Sequence, residues 1–135
     1  MSTVPASPQK RPLLGSAKLM AFVATRDPAR SKAFYGGVLG LSLISEDGFA
    51  VVFDANGTLL RVQIVRELAP AQYTAVGWQV ADIAQTVEEL QKAGVKFEHY
   101  SLPNQNESGI WTSPSGARVA WFKDSEGNIL SVSQH

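Results

Sequence analysis

The sequence contains no cysteine among its 135 residues, only two histidines, and no excess of either charge, with 12 Lys and Arg against 12 Asp and Glu. The first absence removes disulfides, thiolate nucleophiles and cysteine-ligated metals at once. It also suits a reduced, cytoplasmic setting, which is the expected location. A formal net charge of zero gives no basic footprint for nucleic acid or for an anionic membrane surface, so neither is expected as a partner. No apolar run approaches the roughly 20 residues that cross a bilayer. The opening "MSTVPASPQKRPLLGS" lacks the apolar stretch of a secretory signal and predicts a loose N-terminal arm over residues 1–16. Residues 17–135 are then enough for one domain with a real core and too few for two independent ones.

What the sequence does contain is an internal repeat. "AFVATRDPARSKAFYGGVLGL" offers an apolar strand, then Asp27 as N-cap with Pro28 at the first helical position, then Ala29, Ala33 and Phe34 along one face, with Gly36 and Gly37 expected to end the helix. "AVGWQVADIAQTVEELQKAGV" repeats the design, with Asp82 as N-cap, Gln85 as its capping-box partner, a stripe of Ile83, Val87 and Leu90, and Gly94 past the end. The two caps are 55 residues apart. A second echo follows each helix: "VVFDANGTLLRVQ" and "WFKDSEGNILSVS" share the frame Asp-x-x-Gly-x-x-Leu-x-Val, with Asn56-Gly57 and Gly127-Asn128 supplying the positive φ angles of hairpin turns. Asp54 and Asp124 are 70 apart, so the second half carries an extra 15 residues, and Leu102 to Gly116 is the expected insertion. Each half therefore reads β-α-β-β-β, module 1 over about 17–66 and module 2 over about 73–135. Neither module can cover both faces of its own sheet.

This layout, with "RDPARSKAFYGGVLGL" and "FKDSEGNIL", resembles the vicinal oxygen chelate superfamily, which includes glyoxalase I, bleomycin-resistance proteins and extradiol dioxygenases. The resemblance spans about residues 17–134. It implies an α+β fold in which two βαβββ modules pair into one incomplete, barrel-like mixed sheet around a central cavity, with the helices outside. It also implies a divalent metal in that cavity, held by one residue from the first and one from the last strand of each module, usually His, Gln or Glu. Carried over position by position, the four places are Met20, Arg61, Ala75 and Ser131. A thioether, a permanent cation, a methyl group and a neutral hydroxyl are poor ligands. A slip of one residue turns apolar neighbours inward, and a slip of two brings in only Gln63 and Ser133. No metal and no other cofactor are therefore expected.

With period two, the resemblance points Met20, Phe22, Ala24, Val51, Arg61, Gln63, Ala75, Gly77, Gln79, Val119, Trp121, Ser131 and Ser133 inward. Among these, Phe22, Arg61, Gln63, Gln79, Trp121 and Ser131 are candidate ligand-binding residues. His99 joins them as a candidate base and Trp111 as a loop aromatic covering the cavity or a partner. An inward Arg61 has to meet an anion, either an internal carboxylate such as Glu98 or an anionic ligand. Arg61 and Trp121 are expected to face one cavity. The reading is a metal-independent protein that binds a small, flat, anionic molecule, as a homodimer. The alternatives are a metal-dependent lyase, isomerase or dioxygenase of the same superfamily, a metal-free enzyme using His99, and a structural or interaction module in which the tryptophans are core and interface.

Overall fold

The computed structural model describes residues 12–135; the expected arm lies outside the described residues over 1–11, and its remainder forms a hydrogen-bonded turn in which Gly15 N–H donates to the Pro12 carbonyl. Module 1 consists of β1 (Met20–Thr25), α1 (Pro28–Ser31) running on as a π-helical segment (Lys32–Val38), β2 (Ser42–Glu46), β3 (Ala50–Ala55) and β4 (Thr58–Ile64). Module 2 consists of β5 (Thr74–Gln79), α2 (Ile83–Lys92), β6 (Trp111–Thr112), β7 (Arg118–Lys123) and β8 (Ile129–Gln134). The strand orders are β1-β4-β3-β2 and β5-β8-β7-β6, with β1 parallel to β4 and β5 parallel to β8. The result is the expected α+β pair of βαβββ modules, as two four-stranded mixed sheets that stay open and do not close into a barrel.

Both helix starts follow the caps in the sequence: Asp27 accepts from Arg30 N–H and Asp82 from Gln85 N–H. The first helix does not stop at Gly36 and Gly37. It widens into the π-helical segment through both glycines, closes with Leu39 N–H on the Phe34 carbonyl, and leaves the helix at Gly40, whose φ of 78° is the left-handed conformation that glycine tolerates best. A Cβ at Gly36 would lie 3.4 Å from the Phe53 ring, an ordinary contact distance. In the hairpins, Asn56 and Gly57 both have positive φ, whereas in the second turn only Gly127 does.

The insertion is also displaced. The long connection runs from the end of α2 to β6, and Trp111 and Thr112, expected inside a loop, form β6 opposite Val119 and Arg118.

The closed faces of the two sheets share one core that includes Val23, Val51, Phe53, Leu60 and Val62 from module 1 and Ile83, Val87, Phe122, Leu130 and Val132 from module 2. The aromatic pair of the π-helical segment joins the halves: Tyr35 packs on Phe53 at 5.9 Å between ring centroids and Phe34 reaches Phe122 at 6.4 Å. Tyr35 is fully buried and its hydroxyl donates to the Asp124 carboxylate in the β7–β8 turn. Burial, and the negative charge it faces, push the phenol pKa well up, so it remains a donor. The same carboxylate accepts from the Asn128 side chain at 2.8 Å and from the Glu126 and Asn128 N–H groups, and Asn128 also donates to the Ala24 carbonyl of β1 at 3.0 Å.

Removing one donor from this buried carboxylate leaves it under-satisfied. Tyr35→Phe is expected to destabilise the chain by about 1.5–3 kcal/mol, the scale of a hydrogen bond to a charged group. Urea unfolding should show the lower midpoint with an unchanged slope; an unaltered midpoint would mean that the modules are held by apolar packing alone.

Candidate ligand-binding cleft

Strand alternation decides which side chains leave the core. On β1 and β4 the open face carries Met20, Phe22 and Ala24 beside Leu59, Arg61 and Gln63, and Phe22 pairs with Arg61. Across β3 the residue beside Arg61 is Val52, not Val51, which pairs with Val62 on the closed face and is fully buried. The expectation that Val51 faces the ligand fails, because β3 runs one residue out of the register assumed for it. On the second sheet Gly77, Ser131 and Trp121 form one open-face row, and Val119 with Trp111 stands beside Ser133 in the next.

An aromatic wall dominates this second open face. Trp121 lies between Trp111, at 5.9 Å and tilted by 36°, and Tyr100, edge-on at 5.6 Å. Its indole N–H donates to the Thr74 hydroxyl at 3.2 Å, which fixes the ring. Trp121, Tyr100 and Thr74, but not Trp111, line an open cleft of about 640 Å³ together with residues that include Tyr73, Lys123 and Ile129. Lys123 brings a cation, with Nζ 3.8 Å from Glu98. Partial burial and then the Glu98 charge raise the Tyr100 phenol pKa, leaving a neutral hydroxyl at the rim that can donate.

Arg61 does not share this cleft. It stands half-buried on the first sheet, and the expected contact with Glu98 is not made, since Glu98 faces Lys123. No carboxylate of the described residues lies within 4 Å of its guanidinium. Its charge does reach Asp47, whose carboxyl is held below its usual range by the Phe49 and Ala50 N–H groups and, more weakly, by Arg61.

Other candidates scatter. Gln63 is exposed on the first sheet. Gln79 lines a separate cleft of about 490 Å³ with Leu19, Asn56, Gly77 and Trp78. His99 is exposed and has no hydrogen-bond partner among the described residues, whereas its neighbour Tyr100 does reach the cleft. Ser131 is 8% exposed, tucked over Gly77 so closely that a Cβ there would meet its Oγ at 2.6 Å. Period two extended past Trp121 points to Lys123; nothing comparable marks Tyr73 and Tyr100, which reach the cleft from loops.

The metal positions implied by the resemblance do not fit a metal. Met20 and Arg61 share one open face, Ala75 falls at a register shift between Thr74 and Val76, and Ser131 is buried. Among the described residues no three His, Cys, Asp or Glu side chains gather.

With this geometry stand the relatives. The sequence from 19 to 132 matches the family model of the Glyoxalase/Bleomycin resistance protein/Dioxygenase superfamily, and the chain belongs to that superfamily. Similar solved structures include a superfamily member from Sphaerobacter thermophilus (TM-score 0.69, 21% identity, covering 89% of this chain and 98% of that one). Another is TnmS3, an antibiotic binding protein from Streptomyces sp. CB03234 (TM-score 0.67, 21% identity, 88% and 95%). A third is a lactoylglutathione lyase from Agrobacterium tumefaciens (TM-score 0.66, 20% identity, 88% and 93%). At these identities the likeness concerns the fold. No curated protein matches the sequence. No helix among the described residues is long and apolar enough to cross a membrane.

Elemental analysis of protein prepared without chelators and without affinity metals is expected to give far less than one Zn, Ni, Mn or Fe per chain. A stoichiometric value would show that donors other than these four assemble a centre.

Proposed function

We propose that this chain binds a small, flat, anionic molecule without a metal and without transforming it. The observation that carries the reading is the aromatic cleft: Trp121 held in place by Thr74, flanked by Trp111 and Tyr100, with Lys123 at the edge. Aromatic rings in mutual contact offer an apolar surface of defined orientation, which rewards flat ligands, and an ammonium beside them rewards a carboxylate or similar group. That an antibiotic binding protein has the same fold supports binding as an end in itself, and the superfamily also includes lyases.

A homodimer belongs to the same reading. Met20 and Phe22 on the first open face are 40% and 54% exposed, and a second copy would cover this face. Within one chain Arg61 and the aromatic cleft lie on different sheets, so Arg61 contributes to the ligand only if the dimer brings it there.

Tryptophan fluorescence against a panel of flat aromatic acids and their neutral amides tests the proposal. Trp121→Ala is expected to abolish detectable binding of both. Lys123→Ala is expected to weaken the acids by about 2 kcal/mol and leave the amides nearly unchanged. Equal loss for acids and amides would remove the anionic part of the reading, and full binding by Trp121→Ala would remove the cleft. Light scattering at micromolar concentration should give twice the chain mass; a monomer would exclude Arg61 from the site.

A further inference from the structure

A third cleft, of about 620 Å³, shares no lining residue with the aromatic one and is lined by Arg26, Asp27, Arg30, Val65, Arg66 and Glu126. Its arginines come from three segments that the parallel pairing of β1 and β4 brings together. Thr25 pairs with Ile64, and Val65 N–H donates to the Thr25 carbonyl, so Arg26 and Arg66 emerge at neighbouring strand ends. Arg30 follows in the first turn of α1, and Glu126 arrives from the β7–β8 turn of the other module.

The charges do not cancel. Three guanidiniums face two carboxylates, and among the described residues none of the three lies within 4 Å of a carboxylate oxygen. Asp27 is already engaged as the cap that accepts from Arg30 N–H at 3.2 Å. Glu126 is held through its backbone N–H, which donates to Asp124 at 2.9 Å, leaving its carboxylate to compete for the arginines. On a chain of zero net charge this is a local excess of planar, bidentate donors. A phosphate group matches it: it carries about two negative charges and several acceptor oxygens, enough to engage more than one guanidinium fork where a single carboxylate would engage one. We propose that this cleft binds a soluble, phosphate-bearing small molecule, and that Glu126 weakens its hold. The aromatic cleft plays no part in this, and either reading can fail alone.

The test uses the full chain and inorganic pyrophosphate as the probe, titrated by calorimetry at fixed ionic strength, with citrate as a polycarboxylate control. Saturable pyrophosphate binding is expected, tighter than that of citrate. The Arg26→Ala, Arg66→Ala double variant should weaken it about tenfold or more, the loss of at least one charge-assisted hydrogen bond. Glu126→Gln should tighten it severalfold. The three arginines are exposed, so unchanged unfolding midpoints are expected and would show that the variants report on binding. Absence of saturable binding, affinity indifferent to the arginine variants, or weaker binding by Glu126→Gln would each overturn the proposal. Flotation with phosphatidylcholine vesicles doped with phosphatidic acid, without binding of pyrophosphate, would overturn it in favour of a lipid headgroup.

Discussion

The carboxylate of Asp124 is the constraint on which the arrangement of the two modules depends. It is buried in a hairpin turn of module 2, yet one of its donors is Tyr35 of module 1, and Asn128, which it also holds, reaches the β1 carbonyl of Ala24. A buried charge is tolerable only with its acceptor sites filled, so the turn, the π-helical segment and the end of β1 have to be in place together. The counterpart by repeat, Asp54, serves its own turn, accepting among the described residues from Gly57 N–H alone, and the position matching Tyr35 is Leu90, which has no hydroxyl to offer. Duplication therefore gave two similar halves with unlike junctions. One is tied by a polar network; at the other, Asn56 and Thr58 face β5 across an apolar cleft of about 490 Å³.

With the closed faces committed to a common core, the open faces carry the candidate site, and there the four positions that the resemblance assigns to metal ligands hold poor donors. Metal chelation draws specificity from four donors at fixed points. Here those points carry Met20, Arg61, Ala75 and Ser131, while the open face of the second sheet carries tilted and edge-on aromatic rings. Trp121 does not hang free: the Thr74 hydroxyl sets its orientation and two rings set its tilt, so little side-chain freedom remains to be lost when a ligand arrives.

Much of this was legible in the sequence, for identifiable reasons. Caps are local, so Asp27 and Asp82 announced both helices, and the two Asp-x-x-Gly frames fixed the turns and hence the open-face placement of Arg61 and Trp121. Long-range partners were not local and were missed. Nothing near Tyr35 shows that its hydroxyl is met by a residue 89 positions away, and Tyr100 looked less notable than His99 although it is the tyrosine that touches Trp121. The glycine pair at Gly36 and Gly37 reads as a helix stop because glycine usually is one; here the helix continues through both as the wider π-helical segment. The misplacement of Trp111 came from counting an insertion without the pairing that makes a two-residue strand. Strand alternation puts Arg61 and Trp121 each on the face away from the core, but an inner face around one shared cavity requires the two sheets to face each other within a chain, and here the two residues lie on different sheets.

The most direct test of the metal-free cleft is a crystal structure of the complex with the tightest flat aromatic acid, grown from chelator-free protein and measured with anomalous data across the edges of the first-row metals. The expected result is a ring lying along Trp121 with its anionic group towards Lys123 and no anomalous peak. A metal peak bridging the ligand to the chain, or a ligand seated away from Trp121, would contradict the account.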